Sequence, residues 1–351
     1  MLDIGCYVQA VAFHPDGLHL LGGGDYGIRR WRLSDGQEVG KQTGMKLRAI
    51  SVSREGKWIV CGTDDSGTSV WDAEMHEKII EVESTNSVSA VDVSPDSTRF
   101  ATGTPSPHRK ASIWSMTSGE RLVGPLIHDS LVAGIRFSPD GEQIATAGHG
   151  SSVRIFDSHN GNQLIEVNII IRSTWPITPL AWSNDGQQIF TVSDDHKIKS
   201  FAVSTGSALT ESPVLEYPFS LSLAGNGKFI ATVARDCISF LNTSTLVEIG
   251  TAINGEGPKW STPISLDNSQ VATGRADGKI DIYNLANFLP DSYGPFHVSI
   301  CPFFALASCM STIPSPILTH HISYLLARNK NQTRRLWPLV AMTTNHVNPS
   351  Q

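Results

Sequence analysis

Residues 117–157 read TSGERLVGPLIHDSLVAGIRFSPDGEQIATAGHGSSVRIFD. In VAGIRF (132–137) apolar and small or polar residues alternate, as a half-buried strand requires. Asp140-Gly141 follows, a strong hairpin signal between two such runs. The next run, QIATAG (143–148), is more continuously apolar and ends in small residues that suit packing near a crowded centre. VRIF (153–156) ends in a bulky residue, and Gly161 turns the chain into an outer run, NQLIEVN (162–168). The unit therefore reads as four short antiparallel strands. One such sheet cannot bury both of its faces alone, so it needs copies of itself on either side.

The copies are present. The first run and its turn recur as VAFHPDG (11–17), ISVSREG (50–56), VDVSPDS (91–97), IRFSPDG (135–141), LAWSNDG (180–186), LSLAGNG (221–227) and ISLDNS (264–269). The third run ends at Trp31, Trp71, Trp114, Phe156, Phe201, Leu241 and Tyr283, a spacing of about 42 residues. Gly36, Gly119, Gly161 and Gly206 each stand five residues after that bulky position. Seven four-stranded units at one period predict an all-β, seven-bladed β-propeller over 6–288.

On these residues the chain resembles the WD40-repeat (β-transducin-like) family. Trp71-Asp72 keeps the WD dipeptide, Phe156-Asp157 keeps its Asp, and SGERLVGPL…FSPDG is similar to repeats of fungal NACHT–WD40 proteins of the vegetative-incompatibility type. The resemblance implies a non-catalytic platform for protein partners. It also implies a hydrogen-bonded network within each blade, joining a turn Asp, a His before the first strand, a Ser or Thr and the Trp. Asp25, Asp65, Asp195 and Asp277 fit the turn position; His108 and Gly150 replace it in blades 3 and 4, and the matching His survives only as His128. A degenerate propeller held mainly by strand packing is expected.

Composition agrees with an intracellular, cytoplasmic protein, with nuclear placement left open. There are 27 Lys+Arg against 33 Asp+Glu, a net charge of −6, and 40% hydrophobic residues. That balance argues against a nucleic-acid surface. Five dispersed cysteines without a CxxC suggest reduced thiols. The N-terminus lacks the basic start and long apolar run of a signal peptide. All 33 acidic residues fall at or before Asp291, which places a boundary near 290 and an atypical or poorly ordered tail over 289–351. Residues 292–327 are uncharged but broken by Pro302, Pro314 and Pro316, which speaks against a membrane span. Blade 7 is expected either to lack its fourth strand or to borrow one from 296–306.

The motifs that could carry chemistry have structural readings. GGGDYG (22–27) matches G-x-G-x-x-G, but IRRW after it is a strand rather than the helix a dinucleotide needs, so these glycines belong to a hairpin. Asp64-Asp65 and Asp194-Asp195 occupy the same repeat turn, three blades apart. His108, His128, His149, His196 and His320-His321 show no metal-ligand spacing. Alternation along the strand should send Arg29 and Arg30 to opposite faces. No cofactor, metal or catalytic constellation is expected. Trp175 and Trp260 lie in links before first strands, and with His149, His196 and Arg235 in the second turns they should share one rim of the ring. Those five residues are the expected partner-binding set, on a monomeric propeller. Two other functions fit the sequence: a recognition module detached from a NACHT-type receptor, and an enzyme with a central-cleft site.

Overall fold

Seven antiparallel sheets follow one another along the chain in the order of the seven repeats. The structure is a computed structural model that describes residues 1–293, apart from 41–43, 66, 75–76, 83–86, 106, 149, 151, 172–178, 217, 235, 256–258 and 260. Five sheets have four named strands and two have three. Blade 4 sets the pattern with Val132–Phe137, Gln143–Gly148, Val153–Asp157 and Gln163–Val167. Blade 1, with three named strands, gains a short outer segment through the bridge Trp31↔Glu38. The bulky residue of every repeat sits in one register, opposite the second residue of the second strand: Trp31↔Leu20, Trp71↔Ile59, Trp114↔Phe100, Phe156↔Ile144, Phe201↔Ile189, Leu241↔Ile230 and Tyr283↔Val271.

What joins the sheets is apolar packing. Seven clusters of buried residues sit at the seven blade junctions, each drawn from two neighbouring sheets. Ile135 and Phe156 of blade 4 meet Ile113 and Leu126 of blade 3, for example. The last cluster joins blade 7 to blade 1 through Ile280, Ala272, Leu20 and Trp31, and thereby closes the ring. Burying aliphatic side chains is worth roughly 1.5–3 kcal/mol each, and the ring repeats that gain at every junction.

The closure differs from the sequence expectation. The fourth strand of blade 7 is the N-terminal pair Leu2–Asp3, which pairs with Lys279–Asn284 in the register Leu2↔Ile280. Leu2 and Ile4 are buried with Trp31 in the closing cluster. So short a strand suffices because Leu2 and, just beyond it, Ile4 pack into the cluster that joins blades 7 and 1. The segment 296–306 lies outside the described residues. At the other end, Leu285–Asn287 forms a 3-10 turn, Leu289 is buried, and the Tyr293 hydroxyl accepts from Asn242 Nδ2 at 2.8 Å.

GGGDYG is a hairpin. Gly24 pairs with Gly27 around Asp25-Tyr26, and a Cβ on Gly24 would lie 1.8 Å from the Tyr7 carbonyl oxygen. Close backbone approach accounts for that glycine.

Candidate interaction rim and central channel

First-strand segments of six blades line a cavity of about 390 Å³ inside the ring, among them Ala12, Ser51, Asp92, Arg136, Ser222 and Pro263. Only Asp92 and Arg136 among these are charged, and they pair across the blade 3–4 junction. Arg136 Nη1 donates to Asp92 Oδ1 at 3.0 Å, the Phe137 amide to Oδ2 at 2.8 Å, and Ser51 Oγ to Oδ1 at 3.4 Å. Burial pushes the Asp92 carboxyl above its ordinary value, and the Arg136 charge only partly offsets this.

Arg48 marks one mouth of the channel. It is the extra residue of a β-bulge between Leu47↔Thr63 and Ala49↔Gly62, a device that re-aims a side chain. Its guanidinium donates to Asp64 Oδ1 at 2.8 Å, and that bond holds the Asp64 carboxyl below its usual range against the opposing effect of burial. Beside them burial raises the Tyr7 hydroxyl to about 12, although the nearby Arg48 charge lowers it. The channel mouth is thus polar, and its charges are held in hydrogen-bonded pairs, suited to recognition by hydrogen bonding.

Around this mouth run the turns between second and third strands, and they differ from blade to blade. Blade 1 presents Tyr26, 60% exposed. Blade 3 presents Arg109, left-handed at φ 44°, with Nη1 donating to the Asp129 carbonyl at 2.6 Å. Blade 5 presents Asp195, which accepts from Ser193 and from Lys199 Nζ at 2.5 Å. His196, half-buried with φ 63°, stands in that turn, and its carbonyl accepts from the Leu215 amide at 2.8 Å. The other four members of the expected set, Trp175, Trp260, His149 and Arg235, lie outside the described residues. Arg29 and Arg30 diverge as alternation requires: Arg29 reaches Glu38, whereas Arg30 Nη1 donates to the Ala73 carbonyl of blade 2 at 2.8 Å.

The network implied by the family survives in pieces. Trp114 Nε1 donates to Thr102 Oγ1 at 2.9 Å, and Trp71 Nε1 to Ser69 Oγ at 2.8 Å. His128 is buried edge-on against Phe156, 5.8 Å between centroids, with Nε2 lacking a hydrogen-bond partner. Burial, helped by the Arg154 charge, lowers its imidazole to about 4. With Phe in place of Trp there is no indole N–H to complete the chain of bonds.

Comparison with known proteins identifies three of the repeats. The family described as WD domain, G-beta repeat matches residues 37–72, 77–115 and 122–157. The chain carries WD40 repeats in a seven-bladed propeller. Each matched WD40 repeat begins at the outer strand of one blade and ends on the third strand of the next. That offset explains the closure, because the residues before Val8 are then the outer strand owed to blade 7. The chain is 26% identical over 142 residues to the serine-threonine kinase receptor-associated protein of Gallus gallus (40% of this chain, 39% of the relative). It is 27% identical over 186 residues to the nuclear distribution protein nudF of Aspergillus niger (45% and 41%). It is 25% identical over 178 residues to the eukaryotic translation initiation factor 3 subunit I of Candida albicans (47% and 50%). The matches thus span half or less of these relatives' own length. In fold it is similar to the crystal structure of the Cps50 (Swd1) β-propeller domain of Myceliophteria thermophila, with a TM-score of 0.67 at 14% identity, covering 80% of this chain and 97% of that one. No helix among the described residues is long and apolar enough to cross a membrane.

The sequence reading missed the Asp92–Arg136 pair. Its signal was available: VDV, IRF and ISV carry Asp92, Arg136 and Ser51 at the same inward position of consecutive repeats.

Proposed function

We propose that this propeller is a non-catalytic cytoplasmic scaffold that binds protein partners through the rim around the channel mouth. The observation that carries the reading is the contrast between one repeated frame and rim turns that, around a shared Asp in four blades, vary in their other residues among the described blades: Asp25-Tyr26, Asp64-Asp65, Arg109, Asp194–His196 and Asp277. A surface of that kind presents several chemistries on a rigid ring, which suits recognition of a folded or extended polypeptide. Trp175, Trp260, His149, His196 and Arg235 form the partner-binding set, to which exposed Tyr26 is added. The relatives are consistent with this use, one being described as a receptor-associated protein and another as a subunit of a translation initiation factor. The test is affinity purification with mass spectrometry on the wild-type chain and on Trp175→Ala and Trp260→Ala, with Trp71→Ala as the folding control. The rim variants are expected to keep the melting temperature and lose partners at least ten-fold. Partner recovery unchanged in both, or unfolding as severe as in Trp71→Ala, would overturn the assignment.

A further inference from the structure

The hairpin joining the first two strands of a blade has one construction in five of the seven blades. A serine begins the turn, and its Oγ accepts from the amide five residues on, as in Ser53–Trp58, Ser94–Arg99, Ser138–Gln143, Ser183–Gln188 and Ser265–Gln270, each at 2.9 Å. Blade 1 departs from the pattern at both positions together. His14 stands in the serine's place and His19 five residues later, with Asp16 between them.

The two imidazoles converge on one oxygen. His14 Nδ1 lies 3.0 Å and His19 Nδ1 2.7 Å from Asp16 Oδ2, and the three groups place one donor atom each within 4.8 Å of the others. The other carboxylate oxygen is taken by the turn, accepting from the amides of Leu18 at 2.8 Å and His19 at 3.1 Å. His14 is 8% exposed, and its Nε2 meets the Gly56 carbonyl of blade 2 at 2.8 Å. A carbonyl can only accept, so that contact assigns the ring proton to Nε2. In a neutral ring Nδ1 is then a lone pair, which accepts a long hydrogen bond from the Asp16 amide at 3.3 Å and lies 3.0 Å from a carboxylate oxygen, a lone-pair contact that a proton or a metal ion between them would relieve. A backbone carbonyl holding the far nitrogen of a ligating histidine is the usual second layer of a metal site.

We infer that His14, Asp16 and His19 form a site for a divalent transition-metal ion, bound through two Nδ1 atoms and Oδ2, at the blade 1–2 junction. Two imidazoles and one carboxylate favour zinc, nickel or copper over magnesium or calcium, which prefer all-oxygen shells. At metal–ligand distances of about 2.0–2.1 Å, tetrahedral ligand atoms stand roughly 3.3 Å apart, so the two contacts with Asp16 Oδ2 open by a few tenths of an ångström. Three protein ligands leave a fourth position for water. Arg30 is the competing cation. Its Nη2 lies 3.0 Å from His19 Nδ1 and 3.5 Å from Asp16 Oδ2, while Nη1 is anchored on the Ala73 carbonyl, so metal entry displaces one arm of the guanidinium.

H-x-D-x-x-H within one turn resembles none of the familiar ligand patterns, so histidine spacing alone does not reveal this site. The experiment is titration of the full chain with Zn²⁺, and with Co²⁺ as a spectroscopic probe, by calorimetry and absorbance at neutral pH. One equivalent is expected to bind in the micromolar range and to raise the melting temperature. His14→Ser and His19→Gln install the residues that blades 4, 5 and 7 carry at these positions, so both are expected to fold. Each should weaken that equivalent at least ten-fold and abolish its visible Co²⁺ spectrum. Absence of a stoichiometric equivalent in the wild-type chain, or an equivalent untouched by both variants, would overturn the proposal.

Discussion

The two ends of the ring are built from the same strands and follow opposite rules. At the end carrying the first hairpins, the serine turn recurs in five blades, and four of those serines also donate to an Asp two residues on at 2.6 Å. Neighbouring blades are latched there through glycine carbonyls: Arg99 Nη2 donates to Gly141 and Asn184 Nδ2 to Gly225, both at 2.9 Å, while His14 Nε2 meets Gly56 at 2.8 Å. Gly56 can serve because a Cβ there would stand 2.7 Å from the His14 ring. At the rim end the described turns keep an Asp in four blades but differ in their other residues and in length. Repetition marks where the ring is held, and variation marks where it is free to recognise something else.

The largest expected effect tests the latches. Arg99 is 9% exposed and also donates from Nη1 to the Ser158 carbonyl at 3.0 Å. Arg99→Ala leaves two buried carbonyls without this donor and should cost about 3 kcal/mol, read as a lower urea midpoint. A loss below about 1 kcal/mol would mean that the Arg99 latch adds little to the apolar packing and the Asp92–Arg136 pair that also join blades 3 and 4.

A smaller effect concerns the turn itself. Ser138→Ala removes the acceptor for the Gln143 amide and should cost about 1 kcal/mol. It also has a pH signature. The Ser138 hydroxyl, with the Glu142 amide, holds the Asp140 carboxyl below its ordinary 3.8 despite some burial. A lowered carboxyl contributes its stabilisation fully above 3.8 and loses it as pH falls through the lower folded value. Melting curves from pH 6 to pH 2.5 should therefore show a shallower acid decline in Ser138→Ala and in Asp140→Asn. Parallel declines in variant and wild type would remove the carboxylate from the account.

The smallest expected effect sharpens the other side of the comparison. Tyr26→Ala at the rim should change stability by less than about 0.5 kcal/mol while reducing recovery of partners. If Tyr26→Ala destabilises as much as Ser138→Ala does, the rim is structural after all.

The blades were legible because each repeats a period-two strand and a bulky third-strand end, and five of the seven add an Asp-Gly or Ser-x-Asp turn between the first two strands. Leu2–Asp3 was not, since a two-residue strand has no periodicity and its pairing partner lies at the far end of the chain. Asp92 and Arg136 stand in separate repeats, 44 residues apart, and only the ring places their two strands side by side. His14 and His19 were hidden for the opposite reason: they are near in sequence, but only the bond from His14 to Gly56 of the next blade shows how the ring nitrogens are oriented. Alternation correctly separated Arg29 from Arg30, yet it gave no hint that Arg30 would reach a carbonyl of blade 2.

The pairing of Leu2 with Ile280 sets an order of events during synthesis. The contact spans roughly 280 residues, and loop-closure entropy rises only as the logarithm of that length, so the thermodynamic penalty is modest. The delay is the larger consequence. At about 5–20 residues per second, the first residues leave the ribosome many seconds before their partner strand exists. Through that interval Leu2, Ile4 and the blade 1 face around Trp31 await the other half of their junction. A chaperone acting on the nascent chain would find its most persistent exposed apolar surface there, and premature termination before blade 7 would leave that seam open for good.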